Sequence, residues 1–251
     1  MEIILTIAFA GFGAILASFV GVLAERVHTG ESAVSGRSRC NSCNRQLSAL
    51  DLVPVFSWIV SWGRCRSCKA RVPFSYTVSE IAFASLFALS YLKLGLSLSL
   101  GLLLVALVIL LFIVLYDLRH TIVPPYASGL LVLVSVLFAY VAYGSGQLLG
   151  VVLITSGMIA FGFFLFFFLS HGRMMGLGDS PVALSLSLIA GPFALAGLLF
   201  SFWIGALIGI GILVTRPKGH RMGIEVPFVP FLALGYLLAF FTQWNPLALS
   251  F

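Results

Sequence analysis

The sequence predicts an all-α fold: a polytopic helical membrane protein of about eight transmembrane helices, with a small zinc-binding cytoplasmic loop domain after the first helix. Three observations carry this expectation. The chain is 61% hydrophobic and 9% charged, with a mean hydropathy of +1.13, whereas soluble domains are roughly half apolar. Apolar runs close to the ~20 residues that cross a bilayer recur from end to end. All four cysteines fall in the one polar stretch, residues 25–76.

The first run, Ile3 to Ala24, is preceded by Glu2 and followed by positive charge. A cleavable signal peptide has the reverse order, so this segment is expected to stay as a helix, amino terminus outside and next loop in the cytoplasm. Further spans are expected at about 77–93, 98–116, 126–143, 148–170, 180–190, 192–214 and 228–245. The stretch 180–214 is read as two helices broken at Gly191-Pro192, because one helix of that length would overshoot a ~30 Å hydrocarbon core. Three regions follow: a first helix at 1–24, the cysteine loop at 25–76, and a membrane-embedded bundle at 77–251. With alternating crossings, 13 of the 14 lysines and arginines lie on one face and only Lys93 on the other. That is the asymmetry of cytoplasmic loops. The net charge of +6 is therefore topological. No basic face with interleaved aromatics suggests nucleic acid, and membrane lipid is the expected surrounding.

The cysteines form two pairs, Cys40-Asn-Ser-Cys43 and Cys65-Arg-Ser-Cys68. Each pair can make a knuckle whose two thiolates reach one ion, and four thiolates close a tetrahedral structural zinc site. Zinc suits a loop too small to build its own core, and a reducing cytoplasm disfavours disulfides. Redox chemistry through the two pairs is the alternative. Asp51, Trp58 and Trp62, between the knuckles, are read as fold residues.

Of three aspartates, Asp117 and Asp179 lie at the edges of membrane-length segments, where a carboxylate is expensive. Asp117 ends the third long helix, against the helix dipole; the alternative is an interfacial residue paired with Arg119. Asp179 follows Gly176-Leu177-Gly178 and precedes Ser180-Pro181; the alternative is a plain N-cap. The topology puts both at one depth, where they can meet. Two adjacent carboxylates cannot easily both ionise, so they share a proton. The ionised member takes a proton from water while the protonated one polarises a peptide carbonyl. Gly176 and Gly178 let backbone approach closely, whether of substrate or of a partner helix. Other protease chemistries fit less well. There is no His-Glu-x-x-His. Ser156 and His171 stand roughly 22 Å apart along one helix at 1.5 Å per residue.

Several stretches together resemble a known family: Ser18-Phe19 with Glu25-Arg26, Ser38-Arg39-Cys40-x-x-Cys43, Val53-Pro54-x-x-Ser57-Trp58, Gly63-Arg64-Cys65-x-x-Cys68, and Glu80 opening the second helix. Asp117 with Ile122-Val123-Pro124, Gly176-Leu177-Gly178-Asp179, and Val226-Pro227-Phe228-x-Pro230-Phe231-x-Ala233-x-Gly235 complete the set. The chain resembles the type IV prepilin peptidases, or leader peptidase/N-methyltransferases, nearly end to end. The resemblance implies a bacterial inner-membrane aspartyl endopeptidase with Asp117 and Asp179 as catalytic pair. It would remove the basic leader of prepilins or pseudopilins at the cytoplasmic face, serving type IV pili or type II secretion. It would then methylate the new amino terminus with S-adenosylmethionine, residues 25–76 being the methyltransferase-type domain with zinc on Cys40, Cys43, Cys65 and Cys68. The chain departs from the family pattern in Pro181, where a lysine is usual, and in Ser75-Tyr76-Thr77, where Arg-Tyr-Pro is common.

A prepilin leader is basic and its mature part begins with an apolar helix. One or more of the acidic groups at that surface, Glu25, Glu31 and Glu80, is expected to steer it; Glu80 as a cap of its own helix or partner of a loop arginine is the alternative. Two competing functions remain: a peptidase with a purely structural zinc loop, and a transporter whose aspartates relay protons. A transporter places ionisable groups deep in the bundle, often on both faces, unlike this chain.

Overall fold

The structure, a computed structural model, describes residues 1–29, 37–173, 175–215 and 227–246, the side chains of residues 28 and 29 excepted. Glu31, Glu225, Val226 and the basic residues Arg216, Lys218 and Arg221 lie outside this set. The described chain is all-helical, with two isolated β-bridges and no strand among the described residues. Among the described residues nine α-helices follow in order: α1 (Glu2–Thr29), α2 (Phe56–Val60), α3 (Phe74–Leu94), α4 (Leu98–His120), α5 (Pro125–Tyr143), α6 (Gln147–Ser170), α7 (Asp179–Ala190), α8 (Ala194–Thr215) and α9 (Val229–Thr242). Apart from the short α2, these match the eight expected segments in order. By length and composition, α1 through Val27, α3, α4, α5, α6 and the combined run Asp179–Thr215 suffice to cross a membrane, and α9 is a shorter apolar helix.

Two compact units divide at Leu96 and Ser97. In the first, α1 lies along α3, with Phe9 stacked on Tyr91 at 4.9 Å. A Cβ on Gly13 would lie 2.5 Å from the Phe83 carbonyl oxygen, so the glycine lets the two backbones touch, as small residues do in membrane helix pairs. The loop between these helices carries α2 and the cysteines. The expected region boundary at 76/77 thus falls inside a unit, because α3 packs on α1.

In the second unit, α7 packs against α5, α6 and α9, and α8 chiefly against α9. Helix direction follows from the contacts. A Cβ on Gly197 would meet Tyr236, whereas one on Gly205 would meet Phe228 and Phe231, so α8 runs antiparallel to α9. Ser187 of α7 donates to the Tyr236 hydroxyl at 2.9 Å, and the first residues of both helices, Asp179 and Val229, adjoin Asp117, so α7 runs parallel to α9. The chain therefore reverses between α7 and α8. The reversal is a single 3-10 turn, Gly191–Phe193, where Gly191 adopts φ +59° and a Cβ would collide with the Tyr143 ring. Pro192 cannot continue α7. The freed Ile189 carbonyl accepts from the Tyr143 hydroxyl at 2.7 Å, which satisfies a polar group that hydrocarbon would leave bare. Two helices occupy 180–214, as expected.

Candidate active site

Asp117 and Asp179 both belong to the second unit, and three chain segments bring them together. Asp117 lies in the last turn of α4 and is buried, 4% exposed. It does not reach out to water. Its Oδ2 accepts from the backbone N–H of Val229, the first residue of α9, at 3.3 Å. The opening amides of a helix have no partner inside it, so α9 can spend one on a carboxylate from another element, and the positive end of its dipole favours that charge. Asp179 is the first residue of α7, also buried, at 7% exposed. Gly178 occupies the N-cap position, and the amide of Gly176 bonds the Asp179 carboxylate. The two carboxylates lie within range of each other's charge.

The two glycines have different surroundings. A Cβ on Gly178 would stand 2.5 Å from Cβ of Val123, in the turn after α4, whereas one on Gly176 would meet only Asp179 Oδ2 at 3.8 Å. Gly178 is thus the point where the start of α7 presses on the segment leaving α4, and this closeness is what holds Asp179 near Asp117. Val123 was marked only as part of the Ile122-Val123-Pro124 stretch beside Asp117, with no role, and the Val229 amide was not legible as a site group, because a backbone donor leaves no mark on residue type. The nearest signal is Pro230, which marks a helix start.

The level of the pair within the bundle can be read from its neighbours. Ser180 donates to the Ala160 carbonyl of α6 at 2.8 Å. Phe228, next to Val229, has its ring 6.2 Å from that of Phe163 and 5.6 Å from that of Phe202. Between α6 and α8, which touch little, lies a cavity of about 350 Å³ whose walls include Met158, Gly162, Phe163, Phe166, Leu198 and Phe202. Thr155 contributes its single hydroxyl.

The cysteine site belongs to the first unit. The four sulfurs lie within 4.8 Å of one another, and Cys40 Sγ is 3.8 Å from Cys68 Sγ. Four thiolates about 2.3 Å from one zinc stand about 3.8 Å apart at the tetrahedral angle, so the donor set fits that ion. The knuckles are built alike. Asn44 N–H reaches the Cys40 carbonyl at 2.9 Å and Lys69 N–H the Cys65 carbonyl at 3.0 Å, with Asn44 and Lys69 both left-handed. The amides of Cys68 and Ser67 draw the Cys65 thiol down to about 6, and those of Ser42 and Cys43 lower Cys40. Amides that favour thiolate are what a cation-binding knuckle needs. Asp51 joins the knuckles, accepting from Arg45 and from Arg66, each at 3.1 Å. The Ser48 amide, then its hydroxyl and the two guanidiniums, hold Asp51 below the usual carboxylate range.

Glu80 is buried in α3 and accepts from the Val55 amide at 2.7 Å. Val55 has φ +63°, a conformation a β-branched residue seldom takes, so Glu80 secures a strained turn. Glu25 accepts from the Tyr76 hydroxyl. Glu80 therefore holds the loop onto α3, while Glu25 ties α1 to α3.

A family model described as the bacterial peptidase A24 N-terminal domain matches residues 12–94, nearly the extent of the first unit. A prepilin leader peptidase/N-methyltransferase of Bacillus subtilis (strain 168) is 29% identical over 238 residues, 91% of each chain. One of Aeromonas salmonicida (strain A449) is 31% identical over 211 residues, 81% of this chain and 70% of the relative. The chain belongs to the prepilin leader peptidase/N-methyltransferase family. A family member from Dichelobacter nodosus is 29% identical over 210 residues, with the same coverage of 81% and 70%. No solved structure matches the chain.

Proposed function

We propose that the chain is a membrane aspartyl endopeptidase of this family that removes the basic leader from prepilins or pseudopilins and methylates the amino terminus it exposes. The observation that carries the reading is the convergence of Asp117 and Asp179, buried and each held by one backbone amide, in a chain whose relatives are so named. Two carboxylates at this proximity share one proton. The ionised carboxylate takes a proton from water as the water oxygen attacks the scissile carbonyl carbon. The protonated carboxyl hydrogen-bonds the carbonyl oxygen as it gains charge, and the departing nitrogen is protonated as the C–N bond breaks. The Val229 and Gly176 amides fix the carboxylates in place, so little reorganisation is needed at the moment of reaction.

Zinc on Cys40, Cys43, Cys65 and Cys68 is read as structural, since four protein ligands close the tetrahedron. S-adenosylmethionine supplies an electrophilic methyl group for the second activity. The cavity between α6 and α8 does not fit it, since one hydroxyl cannot hold a nucleoside and an amino acid. The active face is read as cytoplasmic from the one-sided placement of lysine and arginine, in a bacterial inner membrane with the amino terminus outside.

The test is cleavage of a prepilin by purified protein. Asp117→Asn and Asp179→Asn are each expected to lose at least about 10³-fold in rate, as befits removal of a proton-transfer group, with metal content unchanged. Cleavage surviving in both variants would refute the aspartyl mechanism. A 14-dalton mass increase in the product, seen only with S-adenosylmethionine, tests the methyl transfer.

A further inference from the structure

The loop of the first unit presents an apolar face that its own fold leaves uncovered. Helix α2 has two sides. Trp58 faces inward: its ring lies 5.2 Å from that of Phe74, its Nε1 donates to the Val72 carbonyl at 3.3 Å, and a Cβ on Gly63 would meet it at 2.8 Å. Phe56, Ile59 and Val60 have the three- and four-residue spacing that puts side chains on one helical face. All three are exposed, Phe56 by 69%. Trp62 follows them at 86%, so it is not the fold residue that Trp58 is. The ending of α2 makes this costly. Gly63 N–H bonds the Trp58 carbonyl and Trp62 N–H the Ile59 carbonyl, a Schellman ending whose left-handed residue is ordinarily glycine. Here that residue is Trp62, at φ +54°, a conformation that bulky side chains disfavour. A strained, exposed tryptophan gains nothing from the fold, so its gain has to come from outside it.

Two observations say what lies outside. The first is level. The Val55 amide, just before α2, donates to Glu80, six residues and so about 9 Å from the start of α3 at 1.5 Å per residue. The Glu80 side chain leans back toward that start, and α3 is long and apolar enough to span a membrane. Phe74, which Trp58 touches, opens an exposed apolar stripe on α3 through Val78 and Ile81. Helix α2 therefore lies beside the first turns of a spanning helix, at the top of a side left open to lipid within this unit. The second observation is charge. Residues 37–73 hold seven lysines and arginines against one acid, Asp51, and Arg64, Lys69 and Arg71, which follow Trp62, are exposed.

We propose that the face formed by Phe56, Ile59, Val60 and Trp62 docks on the surface of an anionic bilayer. Its apolar side chains enter the boundary between headgroups and acyl chains, and the neighbouring basic groups pair with lipid phosphates. Tryptophan suits that boundary, with an apolar ring and an N–H for the headgroups. Basic groups beside an apolar face are what anionic lipid attracts. The second unit, a second copy of this chain and a prepilin are the competing occupants.

The experiment uses the full-length protein in vesicles of phosphatidylcholine, alone or mixed equally with phosphatidylglycerol. p-Benzoylphenylalanine in place of Phe56, a close mimic at an exposed position, is expected to photo-crosslink to lipid, at least about threefold more in the mixed vesicles. The tryptophan emission lost in Trp62→Phe is the share of Trp62. Lipid brominated high on its acyl chains is expected to quench that share at least about twofold. Circular dichroism and metal content matching the wild type show that the variant is folded; should they differ, the Phe56 crosslinks, made in a chain that keeps Trp62, decide alone. Crosslinks only to the rest of the chain, to a second copy or to a prepilin overturn the docking. So do lipid adducts equal in both vesicles, and an unquenched Trp62 share.

Discussion

Gly176 and Gly178 are alike in sequence and unlike in place. Gly178→Ala forces a methyl against Val123 at 2.5 Å, which must part the start of α7 from the turn after α4. A displacement near 1 Å at a catalytic centre costs on the order of 10²-fold, and that loss in kcat is expected for Gly178→Ala. Gly176→Ala keeps the amide that bonds Asp179 and adds a Cβ at ordinary contact distance, 3.8 Å, so it is expected to lose far less. Steady-state kinetics on the two variants checks the difference; equal losses would mean that the pair is not held through Gly178. Asp117 and Asp179 were legible because a carboxylate at the edge of a membrane segment needs a reason. Glu80 was expected to face the substrate's leader, and it bonds the Val55 amide. That contact joins residues 25 apart through a backbone donor at a left-handed valine, which no residue pattern announces.

At the scale of elements, α8 and α9 come together at glycines, Gly197 and Gly205 against aromatic rings and Gly235 against backbone. A Cβ on Gly235 would overlap the Ser201 backbone, and Ser201 donates to the Leu232 carbonyl at 3.3 Å. Gly235→Leu is therefore expected to destabilise the protein by about 1–3 kcal/mol through overpacking. Gly209→Leu, where a Cβ meets nothing within 4 Å, is expected to stay within ~0.5 kcal/mol. Denaturant unfolding in detergent micelles measures both, and equal stability would refute the tight helix pair. Helix number and order were readable because apolar runs of membrane length leave few alternatives. The reversal at Gly191-Pro192 was readable because its two residues each oppose helix continuation. Which faces meet was not, since helices that are apolar all round carry no polar side to mark the outer surface.

For the whole molecule, the division at Leu96 and Ser97 separates a unit whose loop carries four cysteines able to hold a metal ion from one held by helix packing. Structural zinc in peptides is worth on the order of 10 kcal/mol, so chelation is expected to expose residues 37–73 to protease while helical circular dichroism is largely kept. Elemental analysis should find one zinc per untreated chain. Protease resistance that persists after complete metal removal would refute a metal-held loop. The cysteine spacing made this unit legible, but its boundary was not, because only the packing of α3 on α1 shows that α3 belongs to it.

From Ala160 to the end of α6 at Ser170, and from Gly205 to the end of α8 at Thr215, ten residues remain, about 15 Å at 1.5 Å per residue. The carboxylates, at the end of α4 and the start of α7, thus lie about three helical turns short of the ends of α6 and α8. Each hydrolysis consumes one water molecule, and that molecule has to reach this level. A peptide delivered there must also uncoil locally, because a carbonyl engaged in a helical turn presents no open face to attack.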